Sequence, residues 1–117
     1  MLEIERVNSN DTKSMFNIIN GEEIYSLLLD KKNIGYGIIR NNNECKIEVY
    51  ILEEYQGNGY GSFLFKELLK KIKKDINLKI DISNVIIKRI IENNNGIELG
   101  RDGQFIYYII KNKPIGN

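Results

Sequence analysis

Hydrophobic residues alternate with polar ones over much of the first half of the chain, and this spacing predicts four β-strands. The segments are residues 2–7, 23–30, 34–41 and 45–52. Lys31, Lys32 and Asn33 separate the second segment from the third, which predicts a β-hairpin with these residues as its turn. The fourth segment follows an Asn-rich turn, so we predict that it continues the same sheet as an antiparallel strand.

Apolar residues at helical spacing predict three helices. The first has Asn10 or Asp11 as its N-cap, with apolar residues following at positions 15, 18 and 19. The second follows three glycines and has apolar residues at positions 64, 65, 68, 69 and 72 on one face. The third covers residues 84–96, with Asn84 as its N-cap and Gly96 at its end.

The remaining strands complete the prediction of the fold. Residues 78–83 alternate like a strand, and residues 97–111 predict a closing strand pair around a turn at Arg101, Asp102 and Gly103. This order predicts an α/β (α+β mixed) fold, with a central mixed, mostly antiparallel sheet flanked by about three helices. A chain of 117 residues suits one hydrophobic core, so we predict a single domain over residues 1–117.

Composition narrows the possible chemistry. With 42% hydrophobic residues, 28% charged residues and a net charge of +1, the chain is typical of a globular protein that binds neither nucleic acid nor a membrane. No membrane span or signal peptide is visible, and Cys45 is the single cysteine, so we expect a cytoplasmic location. Histidine is absent, which excludes Ser-His-Asp and Cys-His catalysis and leaves no expectation of a metal site.

Three glycines on alternate positions, Gly57, Gly59 and Gly61, stand between a predicted strand and a predicted helix. Glycine lets a ligand approach the main chain, and the first turn of a helix offers unpaired N–H groups, so this junction suits a phosphate or pyrophosphate. The alternative is a tight loop whose glycines only relieve crowding. A Walker loop is excluded because Gly-Lys-Ser/Thr does not occur, and a dinucleotide fingerprint is excluded because residue 62 is a serine.

The pattern Gln/Arg-x-x-Gly-x-Gly/Ala is matched by Gln56, Gly59 and Gly61. It resembles the acyl-CoA-binding signature of the GNAT N-acetyltransferase superfamily. The segment YILEEYQGNGYGSFLFKELL is similar to that family's fourth strand, pyrophosphate loop and third helix, and LKIDISN with the helix after it is similar to the fifth strand and fourth helix. The closing segment GRDGQFIYYIIK is similar to the family's terminal strands, so the resemblance runs from about Ile24 to Lys111.

This resemblance implies acetyl-CoA as the co-substrate and assigns its binding residues. The main-chain amides of the glycine-rich segment would bind the pyrophosphate, the end of the fourth strand would pair with the pantetheine arm, and the strand-end asparagine would hydrogen-bond the pantetheine. The implied cofactor-binding residues are Ile51, Leu52, Gln56, Gly57, Asn58, Gly59, Tyr60, Gly61, Ser62 and Asn84. Asn84 also remains explained as a helix N-cap, and the two roles are compatible.

The implied reaction is direct transfer of the acyl group to a primary amine, without a covalent enzyme intermediate. Glu48 is our candidate base and Tyr50 a candidate acid, since both lie on one face of the fourth strand. The alternatives are that Glu48 lies on a solvated strand face beside Lys46 and that Tyr50 only packs. The family's usual general-acid tyrosine is replaced by Ile91, which leaves water, Tyr50, or a tyrosine at position 107 or 108 as acid and leaves activity open.

The segment from Asn8 to Glu23 has room for about one short helix, whereas the family usually has two there. The resulting open acceptor side suits a protein or peptide amine, a small-molecule amine, or completion of the site by a second chain in a homodimer. We therefore predict an acetyl-CoA-dependent N-acetyltransferase. The alternatives are a non-catalytic acyl-CoA-binding or interaction module on the same fold, and a phosphate-binding module unrelated to coenzyme A.

Overall fold

The computed structural model describes residues 1–41 and 45–111. The chain divides into two compact units, Met1–Leu69 and Lys70–Asn117, and each is described by itself. The Asn-rich turn predicted before the fourth strand lies partly outside the described residues. The prediction of one domain stays a prediction.

The first unit contains a four-stranded antiparallel sheet in the order β1-β2-β3-β4. Its elements are β1 (Leu2–Arg6), α1 (Asn10–Met15), β2 (Glu23–Leu29), β3 (Lys32–Asn41), β4 (Cys45–Ile51), a 3-10 turn (Glu53–Tyr55) and the start of α2 (Tyr60–Lys71). All four predicted strands are therefore present. β4 lies at one edge of this sheet, with β3 as its neighbour.

Three predicted ends in this unit were wrong by a few residues. The β2–β3 turn consists of Asp30 and Lys31 alone, with φ of 48° and 71°, a pair of left-handed residues that matches the right-handed twist of a two-residue hairpin. The N-cap of α1 is Ser9, because its Oγ accepts a hydrogen bond from the Thr12 amide at 3.4 Å. The helix ends at Met15, so Ile18 and Ile19 lie beyond it.

Helix α2 packs on the sheet through its predicted apolar face. Leu64, Phe65 and Leu68 are buried, and a methyl group added at Gly37 of β3 would lie 2.7 Å from Leu68 Cδ1 and 3.1 Å from Leu64 Cδ1. Helix and strand therefore meet so closely that a methyl group at Gly37 would require the Leu68 side chain to shift. This contact fixes the helix that follows the glycine-rich loop onto the sheet that precedes it.

The second unit contains β5 (Ile76–Asp81), α3 (Val85–Asn93), β6 (Ile97–Asp102) and β7 (Phe105–Ile110). Its sheet is antiparallel in the order β5-β7-β6. One face of β7 is buried through Ile106, Tyr108 and Ile110.

Several ends in the second unit also differ from prediction, and β5 spans Ile76–Asp81 instead of residues 78–83. The left-handed residue after α3 is Asn95, with φ of 67°, and not Gly96. Gly96 is needed for another reason, since a Cβ there would lie 2.3 Å from Ile91 Cγ2. Arg101 and Asp102 belong to β6, so the turn before β7 consists of Gly103 and Gln104.

The α+β fold class with three helices is confirmed, with the strands arranged as two antiparallel sheets instead of one mixed sheet. None of the helices in the described part of the chain is long and apolar enough to span a membrane.

Candidate functional site

The glycine-rich loop connects the end of β4 to the start of α2. After the 3-10 turn, Gln56 is extended, and Gly57 and Gly59 both have φ of 81°. This is the left-handed region, which side chains with a Cβ rarely adopt. A Cβ built on either glycine would meet nothing within 4 Å, so this side of the loop is open.

Two side-chain amides of the loop hold its carbonyl groups. Gln56 Nε2 donates to the Ile51 carbonyl at 2.9 Å. Asn58 Nδ2 donates to the carbonyls of Tyr55 at 3.2 Å and Gln56 at 3.3 Å. The loop is thus held through its carbonyl oxygens, and the Gln56 N–H donates to the Glu53 carbonyl at 3.2 Å.

The main-chain N–H groups of residues 59–62 donate to no acceptor within residues 1–41 and 45–111, whereas residues 56 and 57 lie in a hydrogen-bonded turn. The pairing of α2 begins with the Phe63 amide, which donates to the Gly59 carbonyl at 3.1 Å. Unpaired donors at the positive end of a helix dipole suit an anion. Because the first N–H groups of every helix lack an intrahelical partner, this geometry agrees with a phosphate-binding loop and also with a tight connection.

Gly61 differs from the other two glycines because it lies in the first turn of α2. A Cβ there would lie 3.8 Å from Ile51 Cγ1 and 3.9 Å from Val49 Cγ1, which is ordinary contact. Its missing side chain would point at the sheet and away from the open side of the loop. Only Gly57 and Gly59 need glycine for their backbone conformation.

The end of β4 presents one free amide at the sheet edge. The Leu52 N–H donates to the Ile34 carbonyl at 2.9 Å, so it is directed at β3. Because N–H groups alternate in direction along a strand, the Ile51 N–H points to the unpaired edge. Of the two amides near which we expected an oxyanion donor, Ile51 is the one open to a ligand.

Glu48 and Tyr50 lie on one face of β4, as predicted, and contact one another. The Tyr50 hydroxyl donates to Glu48 Oε1 at 2.6 Å, and Arg40 Nε donates to Glu48 Oε2. Burial raises the pKa of Glu48, but these two hydrogen bonds and the nearby positive charges outweigh it, so the pKa lies below its ordinary value. The hydrogen bond to Glu48, with burial, raises the pKa of Tyr50.

Glu48 is ion-paired and its side chain is 32% exposed, so it is not a freely solvated strand residue. Arg40, which the sequence did not single out, also bonds Glu22 and two main-chain carbonyls of the segment after α1. The rings of Tyr36 and Tyr50 lie 5.1 Å and 5.4 Å from the Phe16 ring. The one signal for Arg40 in the sequence is its place on the same face of β3 as Tyr36.

The second unit shows where the other predicted residues lie. Asn84 caps α3, since its Oδ1 accepts from the Ile87 amide at 3.3 Å. Tyr108 is 1% exposed and donates to Glu92 Oε2 at 3.1 Å, so its hydroxyl is committed within the unit. Tyr107 is half-buried, and Ile91, at the position of the family's general acid, is fully buried.

Sequence comparison identifies the family. The family model "Acetyltransferase (GNAT) family" matches residues 4–93, which is most of the chain. The chain belongs to the GNAT acetyltransferase family. Comparison with curated protein sequences gave no match.

Solved structures share the GNAT fold with this chain. The N-acetyltransferase PseH of Campylobacter jejuni, in complex with acetyl coenzyme A, has a TM-score of 0.74 at 14% identity, over 97% of this chain and 100% of the other. The ribosomal-protein-S18-alanine N-acetyltransferase of Escherichia coli has a TM-score of 0.79 at 14% identity, over 99% of this chain and 97% of the other. A Bacillus subtilis acetyltransferase in complex with CoA has a TM-score of 0.75 at 13% identity, over 95% of this chain and 99% of the other.

The GNAT match spans the glycine-rich loop, Glu48 and Asn84, and it ends before β6 and β7. The two closing strands are covered by the structural likeness, which at these identities concerns the fold alone.

Proposed function

We propose that this chain is an N-acetyltransferase that transfers an acetyl or similar acyl group from acetyl-CoA to a primary amine by direct attack. The observation that carries the proposal is the row of unpaired main-chain N–H groups at residues 59–62, in a member of the GNAT family. An acyl-CoA has a pyrophosphate of matching charge, and its thioester supplies the activated acyl group.

The loop and the end of β4 would divide the binding of acetyl-CoA between them. The amides of residues 59–62 would bind the pyrophosphate, and the free edge at the end of β4 would pair with the pantetheine arm as an added strand does. The Gln56 and Leu52 amides, which we expected to take part, donate instead to the carbonyls of Glu53 at 3.2 Å and Ile34 at 2.9 Å. The Ile51 N–H would donate to the oxyanion that forms on the thioester carbonyl. Asn84 would hydrogen-bond the pantetheine through its side-chain Nδ2, which has no acceptor among the described residues.

The acid–base chemistry limits what Glu48 can do. An alkylammonium pKa of about 10.4 lies about six units above that of an ordinary glutamate, so proton transfer from the ammonium to a carboxylate is uphill by about 8 kcal/mol. A carboxylate whose pKa is lowered further is a poorer base still. We therefore propose that Glu48 accepts the proton after the neutral amine has attacked, when the nitrogen carries positive charge and is more acidic.

Tyr50 is suited to keep a proton for the leaving thiolate. Its raised pKa means that the phenol stays protonated at neutral pH. Its ring is half exposed, with the side chain held at one end by Glu48 and against the Phe16 ring. The buried Tyr108 hydroxyl, which donates to Glu92, is a weaker candidate for this role.

Binding and turnover are tested separately. We expect acetyl-CoA and desulfo-CoA each to raise the melting temperature, since a ligand that binds only the folded state stabilises it. If the melting temperature does not rise at millimolar ligand, both the catalytic and the non-catalytic assignment to coenzyme A are overturned. The remaining hypothesis would then be a phosphate-binding module.

Turnover is measured as thiol release from acetyl-CoA with a mixed panel of alkylamines, amino acids, polyamines and peptides. We expect Glu48→Gln to slow release most at lower pH, with Glu53→Gln as the matched control because Glu53 is an exposed carboxylate in the 3-10 turn. If Glu48→Gln and Glu53→Gln release thiol at the same rate, Glu48 has no role in the mechanism.

A second candidate is a non-catalytic acyl-CoA-binding module. The observation that favours it is Ile91, which is fully buried where many family members have the general-acid tyrosine. This candidate predicts the same rise in melting temperature with acetyl-CoA and no thiol release with any amine in the panel.

The acceptor class and the setting of the protein are also proposals. An amine on a small molecule or on a peptide fits the short α1 segment, and a second copy of the chain would complete the acceptor side in a homodimer. We further propose one domain over residues 1–117 and a cytoplasmic location, in line with the single cysteine. Light scattering coupled to size exclusion tests the homodimer, and a single cooperative melting transition is expected for one domain.

A further inference from the structure

The guanidinium of Arg40 joins three separate segments of the first unit. Its Nε donates to Glu48 on β4, and its Nη1 donates to Glu22 Oε1 at 3.1 Å, just before β2. Nη1 and Nη2 also donate to the main-chain carbonyls of Asn17 at 3.3 Å and Phe16 at 2.8 Å. Four of the contacts that a planar guanidinium can make are thus used inside the protein.

We propose that Arg40 is a positioning residue of the acyl transfer, which fixes the Glu48 carboxylate and the Phe16–Asn17 segment relative to Tyr50. The proposal rests on the proposed function and assigns a role that neither the family match nor the glycine-rich loop requires. Arg40 makes no contact with the loop, so donor binding does not depend on it.

Arg40 contacts two residues that contact Tyr50, namely Glu48 and Phe16. Arg40 holds Glu48, and Glu48 accepts the hydrogen bond of the Tyr50 hydroxyl at 2.6 Å. Arg40 also holds the Phe16 carbonyl, and the Phe16 ring packs on the Tyr50 ring at 5.4 Å. The phenol of Tyr50 is therefore located from both its hydroxyl end and its ring face, and both supports lead back to one side chain.

Burial makes this arrangement rigid. The Glu22 side chain is 1% exposed, and its Oε2 has no hydrogen-bond partner in the described part of the chain. Among the described residues, Arg40 is the one cation that pairs with this buried carboxylate, and its own side chain is 21% exposed. A lysine carries the charge but lacks the planar fork, so it would satisfy only part of the set.

Charge is the second way in which Arg40 acts on Glu48. The charged or titratable groups that face Glu48 are Arg40 from β3, Glu22 through Arg40, and Lys46 and Tyr50 from β4. Lys46 is exposed, so water screens its charge. Without Arg40, Glu48 would lose its main positive partner and face a second carboxylate, so its pKa would rise.

The test compares three variants with the wild type. Arg40→Lys retains the charge, and the double variant Arg40→Gln with Glu22→Gln removes the guanidinium without leaving a buried carboxylate unpaired. Arg6→Gln is the matched control, since Arg6 forms an exposed ion pair with Glu23 on the same sheet, at 3.3 Å. Each protein is measured for its melting-temperature rise with acetyl-CoA and for thiol release with the best amine of the panel.

We expect kcat to fall by about 10- to 100-fold in both Arg40 variants, because small displacements of reacting groups cost rates of this order. The acceptor KM should rise, and the acetyl-CoA KM and the acetyl-CoA-induced rise in melting temperature should stay at the wild-type values. In the double variant the acid limb of the kcat–pH profile should move to higher pH. A ¹³C NMR titration, which needs no turnover, should show a raised pKa for Glu48. Arg6→Gln should match the wild type throughout.

Folded Arg40 variants that keep the wild-type kcat and pH profile would overturn the proposal and leave Arg40 as a stabilising residue only. An unchanged Glu48 titration in the double variant would also overturn it, and this holds even if no amine in the panel is acetylated. Failure of the proposed function is distinguishable, because it would appear in the wild type as absent thiol release or absent stabilisation by acetyl-CoA.

Discussion

Replacing Gly59 by alanine tests the glycine-rich loop with the smallest possible change. Gly59 has φ of 81°, and the space around a new Cβ is empty within 4 Å, so the effect comes from backbone strain and not from a clash inside the protein. A left-handed conformation costs a residue with a Cβ about 1–2 kcal/mol. If acetyl-CoA requires this conformation, its Kd should rise by about 5- to 30-fold.

Gly61→Ala is the matched control, two residues further along the same loop and helix. Gly61 is helical, its new Cβ would contact Ile51 and Val49 at 3.8–3.9 Å, and its N–H is retained. We expect the Kd for acetyl-CoA to stay within about twofold of wild type, while helix propensity adds roughly 0.5–1 kcal/mol of stability. Isothermal titration calorimetry measures each Kd, and thermal melting without ligand measures each stability.

Gly59→Asp extends the series by adding bulk and a negative charge where the pyrophosphate is proposed to bind, so we expect no measurable binding. The reasoning is refuted if Gly59→Ala and Gly61→Ala have equal affinities for acetyl-CoA. An affinity of Gly59→Asp equal to that of wild type would place the anion elsewhere.

Three further predictions concern packing, capping and titration. Gly37→Ala places a Cβ 2.7 Å from Leu68 Cδ1, so urea unfolding should show a loss of about 1–3 kcal/mol. Asn84→Ala should lower the free energy of unfolding by about 1 kcal/mol, because the helix loses its N-cap. Asn84→Ser keeps the cap and loses the amide donor. Weaker acetyl-CoA binding by Asn84→Ser at an unchanged melting temperature would therefore support the pantetheine role. Burial and the hydrogen bond to Glu23 raise the pKa of Tyr25 to about 12. The stability that this phenol contributes is therefore present below about pH 10 and is lost as the pH rises through 12. In a titration followed by absorbance at 295 nm, Tyr25→Phe should remove one phenol that titrates near pH 12.

Local patterns in the sequence predicted the strands, the three helices and the glycine-rich loop, because each depends on residues close together in the chain. The errors at element ends have local causes that spacing does not reveal. Ser9, Asn10 and Asp11 are adjacent residues that all favour an N-cap, and the fold selects Ser9. Gly96 was predicted as the end of α3, yet its role is close packing on Ile91, which is a contact and not a backbone preference.

The Arg40 network could not be predicted in the same way. It joins residues 16–22, Arg40 and Glu48, which are separated by up to 32 positions in the chain and meet only through sheet register. Glu22 gave no signal either, since a single glutamate before a strand is ordinarily solvated. The sequence could indicate Glu48 and Tyr50 as neighbours on a face, but not the side chain that holds them.

The period of β4 explains how one strand serves both parts of the candidate site. Val49 and Ile51 point to the face on which α2 begins, since a Cβ built on Gly61 would lie 3.9 Å and 3.8 Å from their side chains. Glu48 and Tyr50 point to the opposite face, where Arg40 holds them. Because a slip of one residue would exchange these faces, the register of β4 against β3 must be fixed for the donor loop and the acid–base pair to exist together. Gly37 and Arg40, on the neighbouring strand, fix that register from opposite faces, one by packing on α2 and the other by binding Glu48.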